Sequence, residues 1–465
     1  MGGLIMDNFL HRFHMDTQLH ELAIQHAYDK GMKMNNLNVI FQPESWDILT
    51  ERIRSGQYVT PPCTQRYVDK KNGNPLSYKQ AEMRNFKEVR ELNVLPFLDR
   101  VIWNTWYKIL YDRFEYLIHP LCVSYKKGEG TSSIAKKLSK ELINELMNVG
   151  EYRGVKGDLS KFFDSVPIEV IDETFDMMKS IEDSSIWKPI IDCYHNDYIY
   201  INGELVEKYT SLRQGNPLGC LLADIILRDI DEEMTNYDVI YYRYSDDFII
   251  IGREYHEAFK RFEEMLNEKG IKLNEKKTKY ISSDNWFEFL GFSFKRDMIS
   301  ISEKTLKNIE YEIKTRTVSK TRQAHRPATK NEIRKMIKDL QWYFFTAFAK
   351  SQENFGMGVY LFGTVNVKHD LRAIENYCKD CLRAAYTNKS EIYGLGYVNR
   401  NWYVIDDCNI GKNCRENRKK TNEGDDDDDL LKECGWISLI KMYNDYHTNI
   451  HLFENSVFKM MNGIY

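Results

Sequence analysis

No stretch of the chain approaches the ~18 uninterrupted apolar residues of a membrane-crossing helix, so a helical membrane protein is excluded. Charge of one sign is not in excess either: 65 Lys and Arg face 69 Asp and Glu, a formal net charge of −4. That balance argues against a uniformly basic nucleic-acid binder. Cysteine offers no disulfide framework, because nine residues at irregular spacing leave one unpaired. The N-terminus lacks the apolar core of a secretory signal, and the expectation is reduced thiols in a cytoplasmic protein. No internal repeat is present. Cys378 and Cys381, with Cys408 and Cys414 further on, resemble zinc spacing, but the first two fall on an expected helix over residues 371–385, which favours packing. His11, His14, His20 and His26 fit no metal spacing.

Apolar residues make up 42% of the sequence, the share of a globular protein, and 465 residues suffice for two to four subdomains. Tyrosine (30) and phenylalanine (23) are abundant, which suits base stacking and an ordinary core equally. Basic residues are concentrated. Residues 51–100 carry 10 Lys or Arg against 6 acids, and residues 301–350 carry 12 against 5. Two basic stretches therefore flank a more acidic centre.

That centre is Tyr242-Arg243-Tyr244-Ser245-Asp246-Asp247-Phe248-Ile249-Ile250-Ile251. β-branched and aromatic residues on both sides of two acids predict a hairpin with the carboxylates at its turn. Adjacent carboxylates repel and are driven towards protonation unless a cation neutralises them. Upstream, residues 1–50 read as polar helix, Arg90 to Val94 as a strand, and Asp99-Arg100 as the start of a helix burying Trp103, Trp106, Leu110 and Phe114. A helix capped by Thr131 or Ser132 carries Ile134, Leu138, Leu142 and Leu146 on one face and stops at Gly150. A strand over 154–159 ends in Asp158-Leu159-Ser160-Lys161-Phe162-Phe163-Asp164.

After that, Leu212-Arg213-Gln214-Gly215-Asn216-Pro217-Leu218-Gly219 turns into a helix expected over 220–234. Beyond the hairpin, a helix burying Phe259, Phe262 and Leu266 ends at Gly270, and β signals follow at 272–278 and 287–292. Alternating strands and helices over 154–295 predict an α+β sheet covered on one face. Residues 301–350 and 371–385 read as largely helical, and 411–429 as a loop ending in five aspartates. A final helix from about residue 430 carries His447 and His451 four apart.

Asp158 at a strand end is the natural partner of Asp246 and Asp247, since two-metal nucleotidyl transfer needs carboxylates from more than one strand. A neighbouring backbone carbonyl, that of Leu159, can add a ligand. In order along the chain, Arg90-x-Leu92-x-Val94, Asp158 to Asp164, Gln214-Gly215-Asn216-Pro217, Tyr244-Ser245-Asp246-Asp247, Leu273 to Thr278 and Phe289-Leu290-Gly291-Phe292 resemble the blocks of a bacterial reverse transcriptase of the group II intron-like lineage. The resemblance covers roughly residues 50–390. It implies a right-hand polymerase fold: an N-terminal helical extension (1–50), fingers (51–153), a palm with an antiparallel sheet (154–300), a helical thumb (301–395) and a C-terminal extension (396–465). It further implies that Asp158, Asp246 and Asp247 are catalytic and hold two Mg2+ ions, with Mn2+ able to substitute and Leu159 as a backbone ligand. Phe163 falls where the family keeps an aromatic gate against the ribose 2′-hydroxyl. Gln214 and Gly215 lie along nucleotide and template, Arg90 and Lys70 meet the triphosphate, and Lys277 faces substrate or primer.

Gly219 departs from the usual Ser, and Asp224 from the usual Asn. The spacing between Lys70 and Arg90 is longer than usual. Retron signatures and a recognisable endonuclease domain are missing after the thumb. The pattern is most similar to defence-associated and abortive-infection reverse transcriptases, which implies dNTPs as substrates, a noncoding RNA template, a DNA product, oligomers in some members and a role in antiphage defence. The competing readings are a template-independent or protein-primed terminal DNA polymerase, with Tyr443, Tyr446 and Tyr465 as candidate priming hydroxyls, and a non-catalytic RNA-binding scaffold.

Overall fold

The computed structural model describes residue 48, residues 51–126 (54, 71 and 72 apart), 129–345, 357–387 and 430–454 (452 apart). The expected N-terminal helix with its four histidines, Cys408, Cys414, Tyr465 and the aspartate run at 425–429 lie outside the described residues. The chain divides into two units, one of Met1–Lys127 with Arg153–Tyr280, the other of Gly128–Tyr152 with Ile281–Tyr465.

The first unit holds strands β1 (Cys63–Asp69), β2 (Pro75–Leu76), β3 (Val89–Val94), β4 (Arg153–Asp158), β5 (Tyr198–Ile201), β6 (Glu204–Glu207), β7 (Val239–Tyr244), β8 (Asp247–Gly252) and β9 (Lys279–Ser282). One sheet runs β2-β1-β5-β6 with β3 paired to β1, and the other runs β7-β8-β4-β9. In the second sheet Phe248, Ile249, Ile250 and Ile251 are fully buried. The face carrying Phe248 and Ile250 packs on the helix Tyr255–Glu268, whose Phe262 ring lies 4.5 Å from that of Phe248. Strand β4 reaches β8 closely because it carries glycines: a Cβ on Gly154 would stand 2.2 Å from the Ile250 carbonyl oxygen. The helix Phe97–Phe114 buries Trp103, Trp106, Leu110 and Phe114, as its spacing predicts.

Two expectations are corrected in this unit. The helix expected over 220–234 begins earlier, at Pro217, and is interrupted, running Pro217–Ile225 and then Arg228–Glu233. Its start is set by the Asn216 side chain accepting from the Leu218 N–H and by proline's pre-set φ, and Leu227 (φ −100°, ψ 11°) leaves helical geometry at the break. Residues 272–278, read as a strand, instead form a loop with one bridge, Leu159↔Leu273. Their hydrogen bonds go to the end of β4: Asn274 donates to the Asp158 carbonyl (2.8 Å), and Ser160 donates to that of Lys272 (2.7 Å).

In the second unit the helix Thr131–Val149 is capped by Gly130 rather than Thr131 or Ser132, with the Gly130 N–H donating to Ser133 Oγ. The signal at 287–292 resolves into β10 (Phe287–Phe289) and β11 (Phe292–Lys295), joined by a turn and followed by β12 (Met298–Ile301). Helices Glu303–Arg316, Lys330–Phe345 and Lys368–Thr387 follow. Part of the basic excess there is paired internally, as in Arg316 and Lys320 on Asp339. Cys378 and Cys381 are buried free thiols.

The helix Leu439–Thr448 ends before His451, so the two histidines do not share one helix face. His447 meets the Phe362 carbonyl, while His451 pairs with Glu454. Tyr443 is buried and donates to the Val365 carbonyl, which removes it as a priming hydroxyl; Tyr446 packs its ring against Phe362 and Phe453. Among the described residues no helix is long and apolar enough to cross a membrane.

Because the Gly154 site abuts backbone, Gly154→Ala is expected to cost about 3 kcal/mol, the upper end of overpacking, read as a lower urea midpoint at unchanged slope.

Candidate active site

Strand pairing assembles the acids. β4 and β8 run antiparallel in a register that sets Asp158 directly opposite Asp247, so both side chains lie on one face of the sheet. β7 and β8 close at Tyr244↔Asp247, leaving Ser245 and Asp246 as a two-residue turn with Ser245 at φ +57°. Two bonds pin that turn: the Leu159 N–H donates to the Asp246 carbonyl (2.9 Å), and the Arg243 guanidinium donates to that of Ser245 (3.2 Å). Acids 88 residues apart in sequence therefore meet at the end of two paired strands.

Their electrostatics are those of crowded anions. Burial, then Asp246, then Asp158 push Asp247 up to about 6. Burial and Asp158 raise Asp246, with Lys277 and Arg90 pulling back. Lys277 Nζ sits 2.6 Å from Asp158 Oδ2, and Asn274 donates to Oδ1 at 3.1 Å. Desolvation works against the ammonium, but the hydrogen bond and charge of Asp158 leave its pKa raised. Among the described residues no three acidic, histidine or cysteine side chains are yet gathered around one point where an ion would sit. The donor set nevertheless fits a hard divalent cation: carboxylate oxygens from the ends of two strands and their turn, with Asp246 and Asp247 destabilised as anions.

Behind the turn lies a cluster the sequence reading missed. Arg243 and Asp231 are both fully buried and paired in a bidentate geometry, Nε to Oδ1 at 2.7 Å and Nη2 to Oδ2 at 2.5 Å. Tyr241 donates to the same Asp231 Oδ1 (2.7 Å), and Arg243 also reaches the carbonyls of Ala223 and Asp224. The one signal available was an arginine inside an otherwise apolar strand. Asp224 is buried as well, accepts from the Ser124 hydroxyl, and is pushed up to about 6 by burial.

The remaining candidates surround this centre. Phe163, half-buried, is the second residue of the short helix Phe162–Ser165 after Asp158, its ring edge-on to Phe162. Gln214 accepts from the Asn93 N–H at 2.7 Å. Gly215, at φ +103°, lies against β3, where a Cβ would meet the Asn93 carbonyl oxygen at 3.4 Å. The close approach its missing side chain permits is therefore to the chain itself. Gly219 has a physical reason too, since a Cβ there would fall 2.4 Å from the Leu212 carbonyl oxygen and a serine would not fit. Arg90 and Lys70 are exposed at the β3 and β1 ends. Arg90 acts on Asp246, and Lys70 on Asp164 beside Phe163. Arg213, also missed, is buried and donates to the carbonyls of Cys193 and Asn196, fixing the turn that leads to Gln214.

Residues 70–294, just under half of the chain, match the family model described as reverse transcriptase (RNA-dependent DNA polymerase). This stretch is a reverse transcriptase domain. It contains the candidate catalytic, metal-holding and nucleotide-binding residues and has mixed helix and sheet content. Reverse transcriptases are RNA-directed DNA polymerases that use divalent metal ions.

Among solved structures, an apo telomerase from Candida tropicalis, truncated from its C-terminal domain, matches over 56% of this chain and 61% of its own, at 14% identity and a TM-score of 0.36. A telomerase from Candida albicans, in complex with a TWJ fragment of telomeric RNA, matches over 75% and 64%, at 13% identity and 0.37. The chain spans less than two thirds of either telomerase chain. No curated protein matches its sequence.

Asp224 titrates higher when folded than the ordinary carboxylate, so its contribution to stability falls as pH rises from about 4 to about 6 and stays low above. Asp224→Asn is expected to stabilise the fold by about 2–3 kcal/mol at pH 7.5 and by little at pH 4, read by denaturant melts at both. Arg243→Ala, leaving Asp231 buried and unpaired, is expected to cost about 3–5 kcal/mol in the same melts.

Proposed function

We propose that the chain polymerises DNA on an RNA template through Asp158, Asp246 and Asp247. The observation that carries this reading is the register placing Asp158 opposite Asp247 with Asp246 at the adjoining turn. These three carboxylates, with the Leu159 carbonyl, would hold two divalent cations, Mg2+ by the hardness of the donors and Mn2+ as a substitute. When bound, such ions lower the pKa of a primer 3′-hydroxyl and neutralise a triphosphate.

The chain's own residues do the rest. Lys277, already on Asp158, offers an ammonium to phosphate or primer. Arg90 and Lys70 supply positive charge to the triphosphate, a role supported by their electrostatic reach to Asp246 and Asp164. Phe163, close after Asp158, fills the space of a ribose 2′-hydroxyl and so selects dNTPs. Gln214 and Gly215, fixed against β3, line the nucleotide and template. The sheet of β7, β8, β4 and β9 serves as palm, that of β1, β2, β3, β5 and β6 as fingers, and the helices after residue 301 as thumb, followed by the C-terminal extension.

The finer reading is a bacterial, defence-associated enzyme in the cytoplasm, working on an associated noncoding RNA and assembling as an oligomer. Its support is the order of the sequence blocks along the chain. Template-independent or protein-primed synthesis and a non-catalytic scaffold are the alternatives. The three acids held together beside a half-buried aromatic disfavour the scaffold.

With a primed RNA template and all four dNTPs, wild type should extend the primer and Asp246→Ala should fall at least 10³-fold. Synthesis that survives RNase treatment of the template would overturn the templated reading. Phe163→Ala should raise ribonucleotide incorporation about tenfold or more relative to dNTPs, measured as the ratio of kcat/KM values.

A further inference from the structure

One face of the sheet built from β1, β2, β3, β5 and β6 is left open to solvent. Along β1 the residues Cys63, Gln65, Tyr67 and Asp69 are buried, so the alternate residues Arg66 and Lys70 point to the other face. Register carries that face across the strands. Thr64 pairs with Tyr200 on β5, Tyr200 with Leu205 on β6, and Val68 with Arg90 on β3. Tyr198, two residues before Tyr200, lies on the same side. The open face thus runs from an aromatic end, which also carries Glu207 opposite Tyr198, to a cationic end.

Tyr198, Tyr200 and Leu205 are 47%, 39% and 52% exposed, high for large apolar side chains. Among the described residues neither tyrosine ring stacks on another ring and neither hydroxyl is hydrogen-bonded. Arg66, Lys70 and Arg90 are exposed as well. From the Thr64 row to the Val68 row the strand advances about 13 Å, and the Arg90 at its far end is the one that acts on Asp246. A flat surface with aromatic rings at one end and cations at the other complements a flexible polyanion carrying stackable bases. A duplex, with its bases paired inside, offers the rings nothing.

We propose that this sheet face binds single-stranded nucleic acid, with Tyr198 and Tyr200 stacking on bases and Arg66 meeting the phosphate between them and the catalytic centre. Resting on the polymerase reading, the bound strand is the unpaired template ahead of the site.

The probe is a fluorescein-labelled polyuridine RNA of about 15 nucleotides, titrated with the full chain and followed by anisotropy, with an RNA duplex of equal length as control. Joint Tyr198→Ala and Tyr200→Ala should weaken polyuridine binding about tenfold or more and leave duplex binding unchanged. The joint Tyr→Phe variant, which keeps both rings, should bind like wild type. Arg66→Gln should lower the slope of log affinity against log salt by about one. On a primed template with a long unpaired extension the Ala variant should raise KM for the primed template at unchanged kcat. With a single unpaired template nucleotide it should match wild type.

Wild-type binding by the Ala variant, or Phe binding as weakly as Ala, overturns the platform. So does sedimentation in which the Ala variant dissolves a dimer while RNA binding stands, which would make the face a protein interface. If the Ala variant does not fold, judged by its melting curve, the Phe variant and the salt slope of Arg66→Gln decide. Tyrosine-dependent binding in a chain that makes no DNA would sink the polymerase reading and keep the platform. Synthesis indifferent to template overhang would do the reverse.

Discussion

A guanidinium with no access to water stands behind the hairpin turn that carries Asp246, and the turn's shape depends on it. Arg243 is fully buried, and its bidentate partner Asp231 comes from a separate helix. The same guanidinium also holds the carbonyls of Ala223, Asp224 and Ser245, so one group joins the end of one helix, the next helix and the hairpin tip. Buried ion pairs contribute little net stability compared with apolar residues of similar size. What this one contributes is position: with Asp231 absent the charge would have no partner, and with Arg243 absent the turn would lose its inner anchor. The acids at the surface stay where they are because an interior charge leaves the chain few other ways to fold around it.

The second constraint is anionic crowding. Burial and then the neighbouring carboxylates raise Asp246 and Asp247, and Asp224, beside the Arg243 cluster, is raised by burial first and by Asp231 as well. The two cases differ in kind. Asp246 and Asp247 are destabilised as anions beside Asp158 and within reach of the Lys277 ammonium, where a further cation can relieve the repulsion. Asp224 is sealed off, and the hydroxyl of Ser124 is its immediate donor. One arrangement suits chemistry and the other suits packing, although the residue type is the same.

Much of the centre was legible in the sequence because a β-hairpin is a local object. Alternation and β-branching around Ser245-Asp246 set both strands without reference to the rest of the chain, and Asp158 at the end of a short strand had few other roles. The errors came where distant partners decide. Residues 272–278 have strand-like composition but give their hydrogen bonds to the end of β4, which no local pattern reveals. The helix after Asn216 starts on its cap and proline rather than on its first periodic residue, and breaks at Leu227. The interior places of Arg213 and Arg243 went unread, since the carbonyls and carboxylate that admit them come from elsewhere in the sequence. Gly219 looked like a weakened motif and is instead a contact too close for any side chain.

The two-residue turn at Ser245 and Asp246 also makes the hairpin a counting device. Side chains change sides at every step along β8, so inserting or deleting a single residue between Tyr244 and Phe248 would carry Asp247 to the underside of the sheet and bring a phenylalanine up beside Asp158. Unless a longer turn or a bulge absorbed the change, the hairpin would lose its facing acids.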